Sequence, residues 1–314
     1  MTPVRHPALD GHQAALRSIA RVVEDTAPPQ DPETASRGLL RLLQTTTPLV
    51  ITGAGVSTDS GIPDYRGPNG SLHRHRPMTF QEFRDDPAAR HRYWARSFVG
   101  WRRMDQAQPN EAHRILARWA QQGRIAGILT QNVDGLHAAA GREAGVSGER
   151  LIELHGDLAR VACLTCGATE SRRALDVRLE AANPGYLERV AIDPAAVNPD
   201  GDVTLDARWV DEFVMVGCRA CGSVELKPDV VYFGENVPVD RRRAAEEMAD
   251  AGGAVLAVGT SLAVMSGFRF VLRAERAGHE VGLINRGPTR ADARAQWRWR
   301  EGVAEALAWL DARL

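Results

Sequence analysis

The chain has 314 residues, which is more than one average domain, so we expect one large domain with a smaller insertion, or two domains. Its 44% hydrophobic and 25% charged residues are typical of a globular protein, and a net charge of −1 gives no electrostatic reason to expect nucleic-acid or membrane binding. No apolar run approaches the roughly 18 residues of a membrane span, and residues 1–36 contain no signal-peptide core. We therefore expect a cytoplasmic protein with an N-terminal extension over 1–36, whose residues 26–36 are typical of a linker or a frayed entry.

Apolar, β-branched segments alternate with helical patterns along most of the chain. The strand-like segments end in polar or glycine-rich turns and cover 48–55, 124–135, 150–157, 224–235, 253–261 and 280–287. The helical patterns cover 81–104, 110–122, 240–252, 267–278 and 301–313. This alternation predicts an α/β fold with a mainly parallel sheet, in which ligands lie beyond the carboxyl ends of the strands. The polar residues at those ends are therefore expected to converge on one crevice.

The segment VITGAGVSTDSGIPDYRG, residues 50–67, begins like a dinucleotide-binding turn and then departs from that pattern. An apolar run precedes Gly53, Ala54 and Gly55, and the two glycines allow the backbone to approach a pyrophosphate near the start of a helix. Thr58 stands where a third glycine is expected, and a polar loop with Pro63 follows instead of an amphipathic helix. No acidic residue stands about 20 positions further on, so we expect ribose contacts unlike those of a Rossmann dehydrogenase.

The segment 160–223 interrupts the alternation of strands and helices and is predicted to be an inserted small domain. It contains all four cysteines of the chain, as Cys163-x-x-Cys166 and Cys218-x-x-Cys221. Four thiolates in two such knuckles predict a closed, tetrahedral zinc site with a structural role. Two redox pairs or a disulfide-bonded loop are the alternatives, and a cytosolic chain makes structural disulfides improbable.

Taken together, the motifs resemble those of the sirtuins, which are NAD-dependent protein-lysine deacylases. The resemblance covers roughly residues 37–310 and rests, in order, on GAGVSTDSGIPDYRG, TQNVDGLH, ELHGDL, the two cysteine pairs, LKPDVVYFGE, VGTSL and LINRGPT. The long segment between the cysteine pairs, with RYWARSFVGW and INRGPTR, looks most like the class II branch and its bacterial members. The resemblance implies a Rossmann-like domain over 37–159 and 224–314, with a helical insertion at about 70–105 and a small zinc-binding domain over 160–223.

Sirtuins consume NAD as a co-substrate, and the resemblance implies where this chain binds it. Arg66 would pair with phosphate, Tyr65 would cover the reacting centre, and Ile62 with Asp134 would hold the carboxamide. Asn132 and Asp134 are two apart, so in an extended stretch both face one side, although an Asx-type turn is an alternative for an isolated NVDG. Asp64 is equally well interpreted as a cap of its own loop. The full predicted cofactor set is Gly53, Ala54, Gly55, Asp59, Ile62, Pro63, Asp64, Tyr65, Arg66, Gln131, Asn132, Asp134, Gly259, Thr260, Ser261, Asn285, Arg286 and Val303.

His155 and Asn132 are the predicted catalytic residues. A lone histidine after an apolar stretch is more often structural, and the ELHG match reverses that interpretation for His155, whereas His137 is interpreted as structural. Imidazole suits a general base because its unperturbed pKa of about 6.5 lies close to working pH. The implied mechanism has the acyl oxygen attack the ribose as nicotinamide leaves, after which His155 activates a ribose hydroxyl and the acyl group ends on ADP-ribose. Neither a cysteine nor a GxSxG serine offers a protein nucleophile.

Acylated-lysine proteins or peptides are the predicted partners. The peptide is expected to add as an extended strand between 261–267 and the substrate residues Val231, Phe233, Gly234 and Glu235, although VVYF is also typical of a buried strand. Tyr93 and Arg96 have the spacing of the pair that grips acidic acyl groups in one sirtuin branch, and ordinary helix packing is the alternative.

The predicted function is NAD-dependent protein-lysine deacylation, most simply deacetylation, by a protein that holds one structural zinc ion. Within this chemistry the alternatives are protein mono-ADP-ribosyl transfer and removal of longer or acidic acyl groups, such as lipoyl or succinyl. Outside it, the alternatives are an NAD-linked oxidoreductase and a non-catalytic zinc-ribbon module that senses NAD or ADP-ribose.

Overall fold

The computed structural model describes residues 7–67, 70–73, 75–190 and 197–314. Its strands are β1 (Pro48–Thr52), β2 (Gly127–Thr130), β3 (Leu151–Glu153), β4 (Gly156–Cys163), β5 (Thr169–Ser171), β6 (Leu226–Val230), β7 (Ala254–Val258), β8 (Glu280–Ile284) and β9 (Trp297–Trp299). Its α-helices are α1 (Pro7–Ile19), α2 (Pro32–Thr45), α3 (Phe80–Asp85), α4 (Pro87–Gln106), α5 (Glu111–Gln121), α6 (Leu136–Ala144), α7 (Arg172–Ala182), α8 (Tyr186–Arg189), α9 (Ala207–Glu212), α10 (Val239–Asp250), α11 (Met265–Arg276) and α12 (Val303–Asp311). Across these described ranges, no helix combines the length and the apolar character needed to cross a membrane.

The larger sheet has six strands in the order β3-β2-β1-β7-β8-β9, and every neighbouring pair is parallel. β1 and β7 form its centre and are buried along their whole length, which explains their continuous apolar sequences PLVIT and AVLAV. Helices cover both faces: residues of α2, α5 and α12 pack on one side, and residues of α10 and α11 pack on the other. The predicted α/β fold with a parallel sheet is confirmed.

A second, three-stranded sheet has the order β5-β4-β6 and is antiparallel. The predicted strand over 224–235 therefore lies outside the parallel sheet, and the predicted strand over 150–157 is divided between the two sheets. The division falls at Gly156, which has a φ of 87° and whose added Cβ would lie 1.9 Å from the Asp229 carbonyl oxygen. Only glycine fits this position without displacing the backbone, and His155 consequently lies in the turn where the chain passes from one sheet to the other.

A separate apolar cluster packs beneath the three-stranded sheet. Trp94 and Phe98 of α4 are fully buried there, against residues of α7, α8 and the segment after α9. Arg172, which is 2% exposed, donates to the carbonyl and hydroxyl oxygens of Ser97 and lies over the Trp94 ring at 5.0 Å. These contacts offset part of the free-energy cost of burying the Arg172 guanidinium.

Two sequence expectations about helix boundaries are wrong. The single helical pattern at 81–104 is two helices, because Pro87 cannot continue α3 and Asp86 caps α4 by accepting from the Ala88 amide at 2.9 Å. The linker expected at 26–36 already contains the start of α2, since Asp31 accepts from the Thr34 amide at 2.9 Å. In both places an Asp-Pro pair supplies the N-cap and the first helical residue.

Candidate active site

One cavity of about 1380 Å³ opens at the carboxyl edge of β1, β2, β7 and β8. Every residue predicted to bind the cofactor or the substrate lines it, and so does His155. Segments that are distant in sequence therefore meet at the carboxyl edge of the sheet, where α/β proteins commonly bind ligands. The four cysteines do not line this cavity.

The glycine turn at the end of β1 is held against the turn after β7. The Gly55 amide donates to the Gly259 carbonyl oxygen at 2.9 Å, and a Cβ added at Gly55 would lie 2.8 Å from that oxygen. A Cβ at Gly53 would lie 2.7 Å from the Thr260 Cβ. Two short 3₁₀ turns, Ala54–Val56 and Thr58–Ser60, follow in place of an α-helix. The exposed Thr58 begins the second turn, and its hydroxyl donates to the Gly55 carbonyl oxygen at 3.1 Å.

A hydrogen-bonded trio forms the floor of the cavity beside this turn. The Ser57 hydroxyl donates to Asp134 Oδ2 at 2.7 Å and accepts from Asn132 Nδ2 at 3.0 Å. The other Asp134 oxygen accepts from the Leu136 amide at 3.0 Å, so the Asx-type turn is present together with the contact to Ser57. Burial raises the pKa of Asp134, and the hydrogen bonds oppose that rise. Ser57, which the sequence analysis did not select, therefore orients both predicted polar groups.

Two histidines lie behind this trio. His137 is 2% exposed, and its Nε2 lies 2.9 Å from Thr52 Oγ1, in line with its interpretation as structural. The His113 ring packs against it with 4.7 Å between ring centroids, and burial lowers the pKa of His113 to about 4. Burial also lowers the pKa of His137 well below its ordinary value, so both rings are neutral at pH 7.

Asp64 and Arg66 lie in the loop that closes over the glycine turn. Asp64 Oδ1 accepts from the Gly67 amide at 2.8 Å, which is the loop-capping alternative. Arg66 donates through Nη2 to the Ser18 carbonyl oxygen at 3.3 Å, while its Nε is buried and has no protein partner. Burial lowers the pKa of Arg66. A buried guanidinium N–H without a protein acceptor suits an anionic ligand.

His155 is half-buried, and both of its ring nitrogens have partners. Nδ1 lies 2.9 Å from the Gln131 carbonyl oxygen, and Nε2 lies 2.7 Å from Ser266 Oγ. Burial is the main cause that lowers the pKa of His155 to about 4, and the Gln131 hydrogen bond opposes it. The ring is therefore a neutral proton acceptor at pH 7.

Residues 18–23 of the N-terminal extension also line the cavity, although the sequence analysis gave the extension no role. His12 Nδ1 lies 3.1 Å from Thr79 Oγ1, and the site of an added Gly234 Cβ lies 3.0 Å from the Ala15 Cβ. The extension therefore runs from the predicted peptide edge to Arg66.

The predicted substrate residues form a tight turn after β6. Phe233 accepts through its carbonyl oxygen from the Phe80 amide at 2.9 Å, and Glu235 accepts from the Tyr232 amide at 2.9 Å. Glu235 also pairs with Lys227, the only lysine of the chain, at 3.1 Å. The Glu235 carboxylate therefore stabilises this turn.

Arg96 does not line the cavity, although its partner Asp202 does, and its guanidinium contacts other protein groups. Its Nε lies 2.9 Å from Asp202 Oδ1, and its Nη2 lies 3.1 Å from His75 Nδ1. Tyr93, one helical turn earlier, is 3% exposed and packs edge-on against Phe83. The charge of Arg96 is already balanced by a buried carboxylate, in agreement with the helix-packing alternative.

The four cysteines form one cluster and no disulfide. Their sulfur atoms lie within 4.8 Å of one another, with 3.7 Å between Cys163 and Cys221 and 3.8 Å between Cys166 and Cys218. Ligands at about 2.3 Å from a tetrahedral zinc ion are roughly 3.8 Å apart, so the donor set fits that ion. In each knuckle the glycine after the second cysteine donates its amide to the carbonyl of the first at 2.9 Å. The expected disulfide-free zinc cluster is thus consistent with the structure.

Comparison with known proteins gives the family. Residues 53–266 match the Sir2 family, which is the sirtuin family. An NAD-dependent protein deacetylase 1 of Corynebacterium efficiens is 57% identical over 273 residues, covering 87% of this chain and 95% of the relative. The chain belongs to the Sir2 family. A second Sir2 relative, NAD-dependent protein deacetylase 1 of Streptomyces coelicolor, is 50% identical over 266 residues, covering 85% of each chain.

Solved Sir2 structures share the fold of this sirtuin. A Sir2–p53 peptide–NAD⁺ complex matches with a TM-score of 0.65 and 27% identity, covering 88% of this chain and 97% of the other. A Sir2 variant with a deacetylated p53 peptide and 3′-O-acetyl-ADP-ribose matches with a TM-score of 0.68, 27% identity and the same coverage. The resemblance to the sirtuins is confirmed, while the assignment to the class II branch stays a prediction.

Proposed function

We propose that this sirtuin is an NAD-dependent protein-lysine deacetylase, which transfers the acetyl group of acetyl-lysine to ADP-ribose and releases nicotinamide. One observation carries the proposal: the neutral imidazole of His155, the Asn132–Ser57–Asp134 trio and the glycine turn all face the same cavity. The relatives named NAD-dependent protein deacetylase, and the solved Sir2 complexes with peptide and NAD⁺, support it.

The cavity residues fit NAD. Gly53 and Gly55 have no room for a side chain, so a diphosphate can approach the backbone of this turn, and we assign the buried Arg66 Nε to it. Asn132 and Asp134 are assigned to the nicotinamide ribose and carboxamide, together with Ile62 and Gln131. The adenosine end is assigned to Gly259, Thr260, Ser261, Asn285, Arg286 and Val303, which line the opposite end of the edge. When bound, NAD supplies an electrophilic sugar carbon as nicotinamide leaves.

His155 is assigned as the general base, acting through Nε2. It takes up the positive charge of the proton that the attacking ribose hydroxyl releases, and its Nδ1–H stays on the Gln131 carbonyl oxygen. A pKa of about 4 makes the free ring a weak base. The negative charge of a bound diphosphate raises the imidazole pKa toward working pH, so cofactor binding strengthens the base. Tyr65 and the loop around it exclude water from this step.

An acetylated peptide is the proposed partner, bound as an extended strand along Val231, Phe233 and Gly234. Glu235 supports that edge by holding its turn. A neutral acyl group is favoured over an acidic one, because Asp202 already pairs with Arg96 at 2.9 Å. Arg96 is therefore already paired and is not available to bind a succinyl carboxylate.

The cysteine cluster is proposed to hold one zinc ion within a small domain over 160–223. We divide the rest of the chain into a Rossmann-like domain over 37–159 and 224–314, which includes a helical insertion at about 70–105, and an N-terminal extension over 1–36. We assign the protein to the cytoplasm, where four unpaired cysteines are stable as zinc ligands. Cell fractionation tests this assignment, and recovery in the membrane or secreted fraction would contradict it.

The proposed activity is tested with purified protein, NAD and a panel of peptides that carry acetyl-, succinyl-, lipoyl- or long-chain acyl-lysine. Acetyl-peptide-dependent release of nicotinamide, with O-acetyl-ADP-ribose as product, is the expected result. Nicotinamide release without acyl transfer would favour ADP-ribosyl transfer instead, and a best rate on another peptide would replace the acetyl group. Saturable NAD binding without turnover would favour the sensor alternative, and a change in NADH absorbance would favour an oxidoreductase.

A further inference from the structure

Ser266 lies in the first turn of α11 and contacts the nitrogen of His155 that faces the reaction. Its Oγ is 2.7 Å from His155 Nε2, and its side chain lines the cavity. The preceding loop reaches this position through Leu262, the only described residue other than glycine with a positive φ, at 52°. A Cβ added at Gly267 would lie 2.5 Å from Gln131 Oε1, so the first turn of α11 is pressed against the Gln131 segment. The backbone therefore brings Ser266 to the imidazole by a strained and closely packed route.

The partners of His155 decide its tautomer. The Gln131 carbonyl oxygen at 2.9 Å from Nδ1 can only accept, so Nδ1 carries the hydrogen. Nε2 then has a lone pair, and the Ser266 hydroxyl donates to it. The Ser266 oxygen keeps its own lone pairs and can accept a further hydrogen bond from the cavity.

We propose that Ser266 is the positioning residue of the general base and the link through which the substrate proton reaches it. The inference rests on the proposed deacetylase function, for which His155 is the base. As the substrate ribose hydroxyl attacks, its O–H bond breaks and its proton passes to Ser266 Oγ. Ser266 simultaneously passes its own proton to His155 Nε2, so the serine ends unchanged and the imidazole ends protonated.

The charges around the His155 imidazole disfavour its protonated form. His155 faces the N-terminal end of α11, whose partial positive charge disfavours an imidazolium. Arg241 of α10 acts in the same direction, and Asp229 lies 3.2 Å from that guanidinium. A hydrogen bond donated to Nε2 also stabilises the neutral ring. Ser266 therefore keeps the free base neutral with Nε2 as its accepting nitrogen.

The test compares Ser266→Ala with Ser266→Thr, which keeps the hydroxyl, and with Ser147→Ala, an exposed serine outside the cavity. We expect Ser266→Ala to lower kcat about 10- to 100-fold, the effect of one hydrogen bond to an essential group, with KM for NAD within about twofold. Ser266→Thr restores most of the rate, and Ser147→Ala matches the wild type. The acid limb of the pH–rate profile moves to higher pH in Ser266→Ala, because the neutral imidazole has lost its donor. In the wild type, kcat should depend on the deuterium fraction of the solvent along a curve, because two protons move in the same step. In Ser266→Ala the dependence should be linear, because only one proton moves.

A second measurement does not depend on turnover. Nitrogen-15 NMR of the His155 ring in the substrate-free protein should show the Nδ1–H tautomer in the wild type, and a raised pKa or a mixture of tautomers in Ser266→Ala. Either an unchanged tautomer and pKa of His155 in Ser266→Ala, or a kcat of that variant within twofold of the wild type, would overturn the inference. If no variant, wild type included, transfers an acyl group, the proposed function fails, and an unchanged NMR signature in Ser266→Ala separately overturns the positioning role.

Discussion

The cavity and the cysteine cluster are built in opposite ways. The cavity collects single side chains from the ends of many strands, and the buried centre of the parallel sheet holds those ends in place. The cysteine cluster uses two short knuckles that come together beside a three-stranded sheet. A change in the cavity should therefore alter chemistry and leave the fold intact, whereas a change at the cysteines should alter the fold. The two regions are joined through β6, which begins five residues after Cys221 and leads directly into Val231.

The largest effect is expected from Cys218→Ser, because a site with three thiolates no longer closes around the ion. Structural zinc in small peptide domains contributes on the order of 10 kcal/mol, so the segment around the knuckles should unfold while the parallel sheet stays folded. Zinc content per chain and protease sensitivity of 160–223 measure this effect. Thr165→Ala, in the other knuckle between Cys163 and Cys166, keeps all four thiolates and serves as the control. A Cys218→Ser protein that stays metal-loaded and protease-resistant would contradict the four-cysteine site.

The second-largest effect is expected from removing the proposed general base, which should lower turnover without unfolding the protein. His155→Ala should lower acyl transfer about 10²- to 10⁴-fold, the usual contribution of a general base, and leave NAD affinity within a few-fold. Nicotinamide release and calorimetric titration with NAD separate the two quantities. His91→Ala is the control, since His91 contacts the Val210 carbonyl oxygen away from the cavity. Unchanged turnover of His155→Ala would remove the proposed base.

The buried histidines of the cavity region predict how stability depends on pH. Burial lowers the pKa values of His155 and His113 to about 4, and it also lowers the pKa of His137 well below its ordinary value. Between pH 6.5 and 4 the unfolded chain binds protons that the native rings refuse, so stability is complete above pH 6.5 and is lost as the pH falls. The pKa shifts of His155 and His113 are each worth about 3 kcal/mol of stability.

Urea unfolding at pH 7 and pH 5 measures this loss. The free energy of unfolding should fall by a few kcal/mol between the two values, and His137→Gln should remove part of the difference. A His137→Gln protein that keeps the full wild-type difference between the two pH values would show that this ring is not held neutral by burial.

The smallest effect is expected at the glycine turn. Gly55→Ala places a Cβ 2.8 Å from the Gly259 carbonyl oxygen, so backbone must move, at a cost of about 1–3 kcal/mol in stability and with weaker NAD binding. Gly148→Ala is the matched control, because nothing lies within 4 Å of its added Cβ. Thermal unfolding and NAD titration of both variants test the difference, and equal behaviour would mean that the turn relaxes easily.

Local patterns in the sequence were sufficient for some parts of the site and insufficient for others. The Cys-x-x-Cys spacing determines which thiolates can share an ion, and the apolar runs before Gly53 and Gly259 place both turns at one sheet edge. No such local pattern marks Ser57 or Ser266 as a site residue. Their importance depends on partners that are 77 and 111 residues away, Asp134 and His155.

Charge balance was equally hidden from the sequence. The spacing of Tyr93 and Arg96 is the same whether or not a carboxylate lies opposite, and only the fold brings Asp202 to 2.9 Å from Arg96. The Asp-Pro pairs at 31–32 and 86–87 are different, because an N-cap followed by proline is a local helix start that the sequence already contained.

The sequence by itself determined the alternation of strands and helices, the four metal-binding thiols and the glycines that a ligand can approach. All three depend on the chemistry of neighbours within a few positions, such as apolar period, thiol spacing and missing Cβ atoms. The tertiary structure alone decided the tautomer and pKa of His155, the pairing of Arg96 and the place of residues 18–23 in the cavity wall. Those properties arise from burial and from contacts across the fold, which no local pattern encodes.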